Sequence, residues 1–364
     1  MERNVKYGAI PRDLEGVTQG WLEAVLNQGK PLPQCKLIPI NANSSNAAFL
    51  SFSDSPRFAD VPQTCILKLC PAGHSFLAAS EVNYYTRDYV GLTDAPIPEC
   101  YHAVWDGGQT AQSLGEGYAL FLEDLSADYT DNKLVEPTEE HAAQLGKALG
   151  QLHAKHWGRD ADPDGPHDLQ ADLKRYLAHV SKGLAPILDD LEDTLDVSSR
   201  ERLTKAFDVD ADLMLQRALK GHGLTLVHGD PNPTNVLTCD TPKQGCLPLY
   251  LIDRQPFDWS LRLWLGASDL VYATVPFWSE QHRRAYQNNL LQCYHQNLLA
   301  QGVSGYSIEE LHEDWSLCAC VAVFTAIEWG ADPETLKDMK WLWETQLRRA
   351  LVFLEDCETV GVLL

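Results

Sequence analysis

The stretch from Leu226 to Leu237, LVHGDPNPTNVL, with Leu249 to Gln255, LYLIDRQ, shortly after it, decides how this chain is read. Two apolar runs of strand character each deliver a carboxylate into a polar turn. His228, Asp230 and Asn235 share the first loop, and Asp253 closes the second run. Taken singly these residues are ordinary: Asp-Pro and Asn-Pro-Thr-Asn build turns, and many strands end in Ile-Asp. The order is what is specific: HGD, an amide five positions beyond Asp230, a strand, then IDxQ.

Upstream, short β-rich runs alternate with polar turns. Residues 35–40, 47–52, 64–69 and 118–122 read as strands of a small, mostly antiparallel sheet, with one helix inserted at 76–89. From Thr138 the texture changes. Thr138-Glu-Glu-His opens a helix with a capping signature that runs to His156. A loop follows at 160–166, and helices are expected at 168–190, 198–220, 279–301, 307–329 and 333–357. Strand-like pieces at 224–227, 235–238 and 248–252 interrupt them. The fold class is α+β, with a small sheet lobe over 1–125 and a larger, mainly helical lobe over 126–364. No internal repeat or low-complexity segment is found.

The 364 residues are 45% hydrophobic, enough for one large domain or two lobes with substantial cores. Ten cysteines form no CxxC pair and no His/Cys ligand spacing, so neither a zinc site nor a disulfide framework is expected. The N-terminus lacks the apolar centre of a signal peptide, and the longest apolar run, 317–327, is too short to span a bilayer. A soluble, cytoplasmic protein with reduced thiols is the expectation. The formal net charge of -22 argues against nucleic-acid and anionic-membrane partners, since both are polyanions, and permits a cationic small substrate.

Paired carboxylates at the strand ends of a helical lobe, joined to a sheet lobe that covers a nucleotide, suit phosphoryl transfer from ATP. That chemistry needs an oriented acceptor hydroxyl, magnesium bridging the phosphates, and a cation on the phosphates that are not transferred. Asp230 and Asn235 stand at the interval of the kinase catalytic loop, where a carboxylate takes the acceptor's proton and a downstream amide oxygen turns back onto the metal. Asp253 supplies the main metal carboxylate. Both are hard oxygen ligands of the kind magnesium prefers. His228 is expected to fix the loop by hydrogen bonding, Asp230 being better placed as base. Asn232 stands where many protein kinases use a lysine.

On these residues the chain resembles the aminoglycoside phosphotransferase and choline kinase superfamily, small-molecule kinases of protein-kinase-like, bilobal fold. LFLEDL, ALGQLHAKHW, LVHGD and LLQCYHQNLLAQG bring it nearest the ecdysteroid-kinase-like branch, over roughly residues 35–355. The resemblance implies that Lys68, in ILKL, contacts the α- and β-phosphates and that Glu81, in SEVNYY, pairs with it. From the residues alone, the less favoured alternatives are an edge-strand charge for Lys68 and a solvated helix face for Glu81. The resemblance puts a phosphate-covering loop at 41–46, where Asn43, Ser44 and Ser45 are the candidate contacts. That loop has no glycine, and a plain hairpin connection reads as well. In FLEDL, backbone groups of Glu123 and Leu125 would meet the adenine edge, although a strand-to-turn transition looks the same. Asp269, in ASDLVY, resembles the aspartate that braces the catalytic loop.

Two departures from the family pattern are Pro231 after Asp230 and Arg254 after Asp253. Arg254 could reach phosphate, substrate or a nearby carboxylate. Asp258, Trp259, Glu328 and Trp329 join it as candidate acceptor contacts, because carboxylates and aromatic faces suit an ammonium group. Core tryptophans and solvated acids explain them equally. The acceptor is a small hydroxyl compound, with cationic and sterol-like molecules both open. An alternative is a catalytically silent nucleotide-binding scaffold, which a missing metal or phosphate residue would favour. A protein kinase is disfavoured because no Ala-Pro-Glu follows Asp253.

Overall fold

The computed structural model describes residues 10–40, 46–53, 57–58, 61–70, 78–105, 117–133, 135–158, 162–192, 194–255, 257 and 259–359. Two compact units emerge: Met1–Thr93, Ile97–Thr130 and Ile252–Asp258 form the first, and Asp94–Pro96, Asp131–Leu251 and Trp259–Leu364 the second. The stretch carrying Asp253 and Arg254 therefore packs with the sheet, where a single boundary at 125 would leave it with the helices.

In the first unit five strands run in the order Cys35–Ile40, Asn46–Phe52, Thr64–Leu69, Tyr118–Leu122, Cys100–Trp105, and every pair is antiparallel. The fifth strand, Cys100–Trp105, was not foreseen. Nor was the helix Gln19–Asn27, capped by Thr18, whose Trp21, Leu22, Val25 and Leu26 pack on Leu50, Phe52, Leu67, Leu69 and Phe121. Those positions alternate along their strands, so one sheet face becomes the core of this unit. The inserted helix is Ala78–Asn83, continued as a π-turn over Tyr84–Asp88. Thr86 there donates its hydroxyl to Val82 O at 2.7 Å, competing with the α-helical ladder.

The second unit is helical around short antiparallel strand pairs: Leu224–Leu226 with Leu263–Leu265, and Val236–Thr238 with Leu249–Leu251. Helices Glu139–Lys155 and Glu280–Ala300 lie in close contact. Gly146 permits this, since a Cβ there would stand 2.4 Å from Leu290 O. Expected helix 307–329 divides at Cys318 into Ile308–Leu317 and Ala319–Glu328, and 333–357 divides at Met339 into Pro333–Asp338 and Lys340–Thr359. Expected helix 168–190 is interrupted by a 3-10 turn at Ser181–Gly183, and 198–220 by a π-turn at Ala206–Asp210. Among the described residues no helix is long and apolar enough to cross a membrane.

Candidate functional site

In the second unit the strand Leu224–Leu226 ends at Val227, whose N–H still reaches Arg262 O. The chain then turns through Gly229 at φ 78, a left-handed conformation that glycine adopts without penalty. The turn presents Asp230, and three side chains fix its carboxylate. Tyr272 Oη and Asn232 Nδ2 both donate to Oδ1 at 2.7 Å, and Asn235 Nδ2 donates to Oδ2 at 3.0 Å. Asn235 Nδ2 also reaches Asp230 O at 2.9 Å. With its nitrogen so engaged, the amide oxygen is what Asn235 offers a hard cation. Asn232 Oδ1 in turn accepts from Thr234 N at 2.8 Å, which closes the Asn-Pro-Thr-Asn turn.

Behind the loop, Asp269 accepts from the backbone N–H of His228 at 2.6 Å and of Gly229 at 2.8 Å. His153 Nε2 lies 3.0 Å from the same carboxylate, and its Nδ1 lies 2.9 Å from Tyr294 Oη. A carboxylate only accepts, so in the neutral imidazole Nε2 carries the proton and Tyr294 donates to Nδ1. All three side chains are buried. The bracing role read for Asp269 thus has a geometric basis, and it extends to His153 of ALGQLHAKHW and Tyr294 of LLQCYHQNLLAQG. His228 is 2% exposed and accepts from Asp230 N–H at Nδ1, 3.3 Å away, a loop-fixing contact.

In the first unit Lys68 lies on the central strand Thr64–Leu69, paired on both sides, and is 7% exposed. The edge-strand alternative is therefore excluded. Its Nζ sits 2.7 Å from Glu81 Oε1 and 2.5 Å from Asp253 Oδ1. Burial draws the Lys68 pKa down, but Asp253 and then Glu81 outweigh it and hold the ammonium well above the usual lysine range. Burial pushes the Glu81 carboxyl up, and the Lys68 charge opposes without cancelling that effect. Glu81 is 4% exposed, not on a solvated face. Asp253 takes a left-handed φ of 60, and its N–H points to Tyr85 Oη at 3.5 Å. Its side chain is 41% exposed, the open member of the trio.

At the end of Tyr118–Leu122, the Glu123 N–H donates to Glu99 O at 2.8 Å, so the carbonyl is what Glu123 can present to a base edge. The Leu125 carbonyl accepts from Asp128 and Tyr129 N–H, and its own N–H has no backbone acceptor among the described residues. The segment thus carries a backbone acceptor at Glu123 and a backbone donor at Leu125, two residues apart. Asn43, Ser44, Ser45 and Asp258 lie outside the described residues.

The other acceptor candidates separate. The ring of Trp259 stacks on His179 with centroids 3.9 Å apart, and His179 Nε2 stands 3.4 Å from Glu328 Oε1. Tyr176 stacks on Trp259 at 6.0 Å. Burial, then the Asp230 charge, raise the Tyr272 hydroxyl well above the usual tyrosine range, and Glu328 adds to this. Glu328 is thus electrostatically coupled to the tyrosine that holds Asp230. Trp329 does not join them, because its indole donates to Gln346 Oε1 at 3.0 Å. Arg254 does not either: it is 2% exposed and bound to Asp88, the nearby carboxylate among its possible partners, which corrects its placement as a substrate contact. Tyr272 and His179 escaped the sequence reading. Tyr272 lies three residues beyond Asp269 and hence on the same helix face, a signal that could have found it. Among the described residues no cluster of three His, Cys, Asp or Glu forms a ready metal cage. Magnesium commonly uses one or two protein carboxylates plus phosphate oxygens and water, and Asn235 in the second unit and Asp253 in the first each carry an oxygen of the hard kind it prefers.

The sequence profile of the Phosphotransferase enzyme family matches residues 36–258. No curated protein matches the chain. Solved structures do. A choline kinase from Cryptosporidium parvum Iowa II is 13% identical, with 91% of each chain covered and a TM-score of 0.57. A putative aminoglycoside phosphotransferase from Ralstonia eutropha JMP134 is 13% identical over 93% of this chain and 97% of that one, at 0.54. The microcompartment-associated aminopropanol kinase is 13% identical over 89% and 94%, also at 0.54. At such identity the likeness concerns the fold: an antiparallel sheet in the N-terminal part and helices in the C-terminal part.

Proposed function

The chain belongs to the Phosphotransferase enzyme family, and from that premise we propose that it transfers the terminal phosphoryl group of ATP, with magnesium, to a hydroxyl of a small molecule. The observation that carries this reading is the Asp230 carboxylate, held by Tyr272, Asn232 and Asn235 at the mouth of a rigid turn. A carboxylate so oriented accepts the proton of an acceptor hydroxyl as its oxygen bonds to phosphorus and the bond to ADP breaks. Lys68 orients the α- and β-phosphates and Glu81 holds Lys68. The Glu123 carbonyl and Leu125 N–H take the adenine edge. Asn235 and Asp253 offer oxygens to magnesium, which would offset charge on the phosphates. A lysine already bridging two carboxylates is outnumbered in charge before any phosphate arrives.

Glu328 and the aromatic group of Trp259, Tyr176 and His179 support one acceptor class, and of these Glu328 and Tyr176 act on the Tyr272 hydroxyl that donates to Asp230. A carboxylate beside aromatic rings favours an amine-bearing alcohol over a sterol. Choline kinase and aminopropanol kinase, named for such alcohols, share the fold. The test is incubation of the chain with labelled ATP and a panel of amino alcohols, aminoglycosides and sterols. Transfer to an amine-bearing acceptor is expected, with Glu328→Gln raising the acceptor KM by about tenfold, the order of ~1 kcal/mol of cation recognition, while the KM for ATP holds. Transfer to sterols alone would remove the cationic reading. Nucleotide binding without transfer to any acceptor would replace the kinase with a scaffold.

A further inference from the structure

Arg254, directly after Asp253, points its guanidinium inward within the first unit. Nη1 lies 2.6 Å from Asp88 Oδ2, Nη2 donates to Ser80 O at 3.1 Å, and Nε lies 3.4 Å from Ser80 Oγ. The guanidinium carbon stands 5.5 Å from the centre of the Tyr84 ring. Arg87 Nε holds the other oxygen of Asp88 at 2.7 Å. The Arg254 and Asp88 side chains are 2% and 0% exposed. A pair this deeply buried is weak evidence of stability, because desolvation offsets its attraction and apolar side chains of similar volume do as well. Its geometry must supply the reason for it.

Ser80, Glu81, Tyr84, Tyr85 and Asp88 recur at helical spacing, so they share one face of the helix Ala78–Asn83 and its π-turn. Every one of them meets the central lysine or residues 253–255. Ser80 Oγ donates to Gln255 O at 3.2 Å, Glu81 binds Lys68, Tyr84 lies under Arg254, Tyr85 faces the Asp253 N–H, and Asp88 binds Arg254. Arg254 thus grips the helix on either side of Glu81, at the residue before it and at the end of the π-turn. The same side chain anchors the backbone step whose preceding residue carries a left-handed φ. A lysine could not do this, since a single ammonium lacks the planar fork that reaches both partners.

We propose that Arg254 is a positioning residue: its two-ended grip on Ser80 and Asp88 sets the depth at which Glu81 meets Lys68 and fixes the turn that presents Asp253. The proposal rests on reading Lys68 and Asp253 as the phosphate and metal groups. Two variants of the full chain test it. Arg254→Lys keeps the charge and loses the fork, whereas Arg254→Met with Asp88→Leu removes both charges and leaves no orphaned ion. Amide exchange over residues 78–88, far-UV circular dichroism and the KM values for ATP and acceptor are measured in each. Both variants should keep the wild-type spectrum, exchange about tenfold faster over 78–88 alone, and show a KM for ATP raised by about tenfold with the acceptor KM unchanged. Saturating MgATP should restore protection in Arg254→Lys. Wild-type exchange and wild-type KM for ATP in folded variants would overturn the proposal. Loss of the fold in both would overturn it too, because the pair would then support the core and not the setting of one helix. If the wild type turns over no ATP, the kinase reading fails separately, and exchange over 78–88 still decides whether Arg254 sets the helix.

Discussion

Asp230 accepts from three side chains, so replacing its charge without its shape separates chemistry from architecture. Asp230→Asn keeps the volume and removes the base. Nucleotide binding should persist while phosphoryl transfer falls by roughly 10²–10⁴-fold, the range typical of general-base loss. Slow hydrolysis of ATP by water serves as the readout until an acceptor is in hand. Wild-type turnover in Asp230→Asn beside a dead Asn235→Ala would make the loop a metal site without a base. The residues of this loop could be read in the sequence because their relation is local: His228, Asp230 and Asn235 lie within one turn, and spacing encodes their geometry. Tyr272 is different, since it reaches Asp230 across 42 positions and only the packing of its helix brings it there. Arg254 was visible as a departure from the family pattern, yet its partner Asp88 lies 166 positions upstream, and no local rule connects them. The left-handed φ of Asp253 is a conformation that costs most residues about 1–2 kcal/mol and aspartate less, so an aspartate is among the few side chains suited to that position.

At the scale of elements, hydrophobic periodicity placed the helices but not their interruptions, because a π- or 3-10 turn shifts the register by a fraction of a residue and leaves the apolar stripe recognisable. The strand Cys100–Trp105, CYHAVW, has no apolar/polar alternation and its apolar run is broken by His102, so neither strand signal marks it cleanly. The segment leading into helix Leu169–Val180 illustrates a device that no periodicity reports. His167 places Nε2 3.0 Å from Asp162 and Nδ1 3.1 Å from Asp172, the latter within the helix. Arg262 holds Asp162 at 2.8 Å, and Arg175 holds Asp172 at 2.9 Å. Hydrogen bonds first to Asp162 and then to Asp172 raise the His167 pKa to about 9. A cation stabilised by folding contributes its full share below the unfolded histidine value near 6.5, and that share is lost as pH rises through about 9. Solvent reaches part of the ring, so the expected loss is about 1–2 kcal/mol. Denaturant midpoints measured from pH 6 to pH 10 should fall in this window for the wild type and less for His167→Gln. Parallel curves for the two proteins would assign the decline to other groups.

For the whole molecule, the decisive balance is between a net charge of -22 and a nucleotide that is itself a polyanion. Local cation must outweigh the long-range field, and in the first unit Lys68 is already shared by Glu81 and Asp253. Lys68 with two carboxylates carries a net negative charge, so ATP alone should bind weakly and ATP with magnesium strongly. A ligand that binds only the folded chain raises its stability by RT ln(1 + [L]/Kd), about 2.7 kcal/mol at a hundredfold excess over Kd. For a chain of this size that corresponds to a rise of roughly 3–4 °C in the melting midpoint. Magnesium ATP should produce this rise, and ATP with a chelator only a small part of it. The two charged partners then separate by substitution. Asp253→Ala should keep the small increment from ATP alone, or enlarge it by relieving the lysine of a competing carboxylate, and should lose the increment that magnesium adds. Lys68→Ala should bind nucleotide poorly in either condition while its unliganded midpoint shows whether Glu81 and Asp253 tolerate each other without the cation between them. If Asp253→Ala responds to magnesium as the wild type does, the metal is held elsewhere, and the carboxylate that ends the second strand is a partner of Lys68 and nothing more.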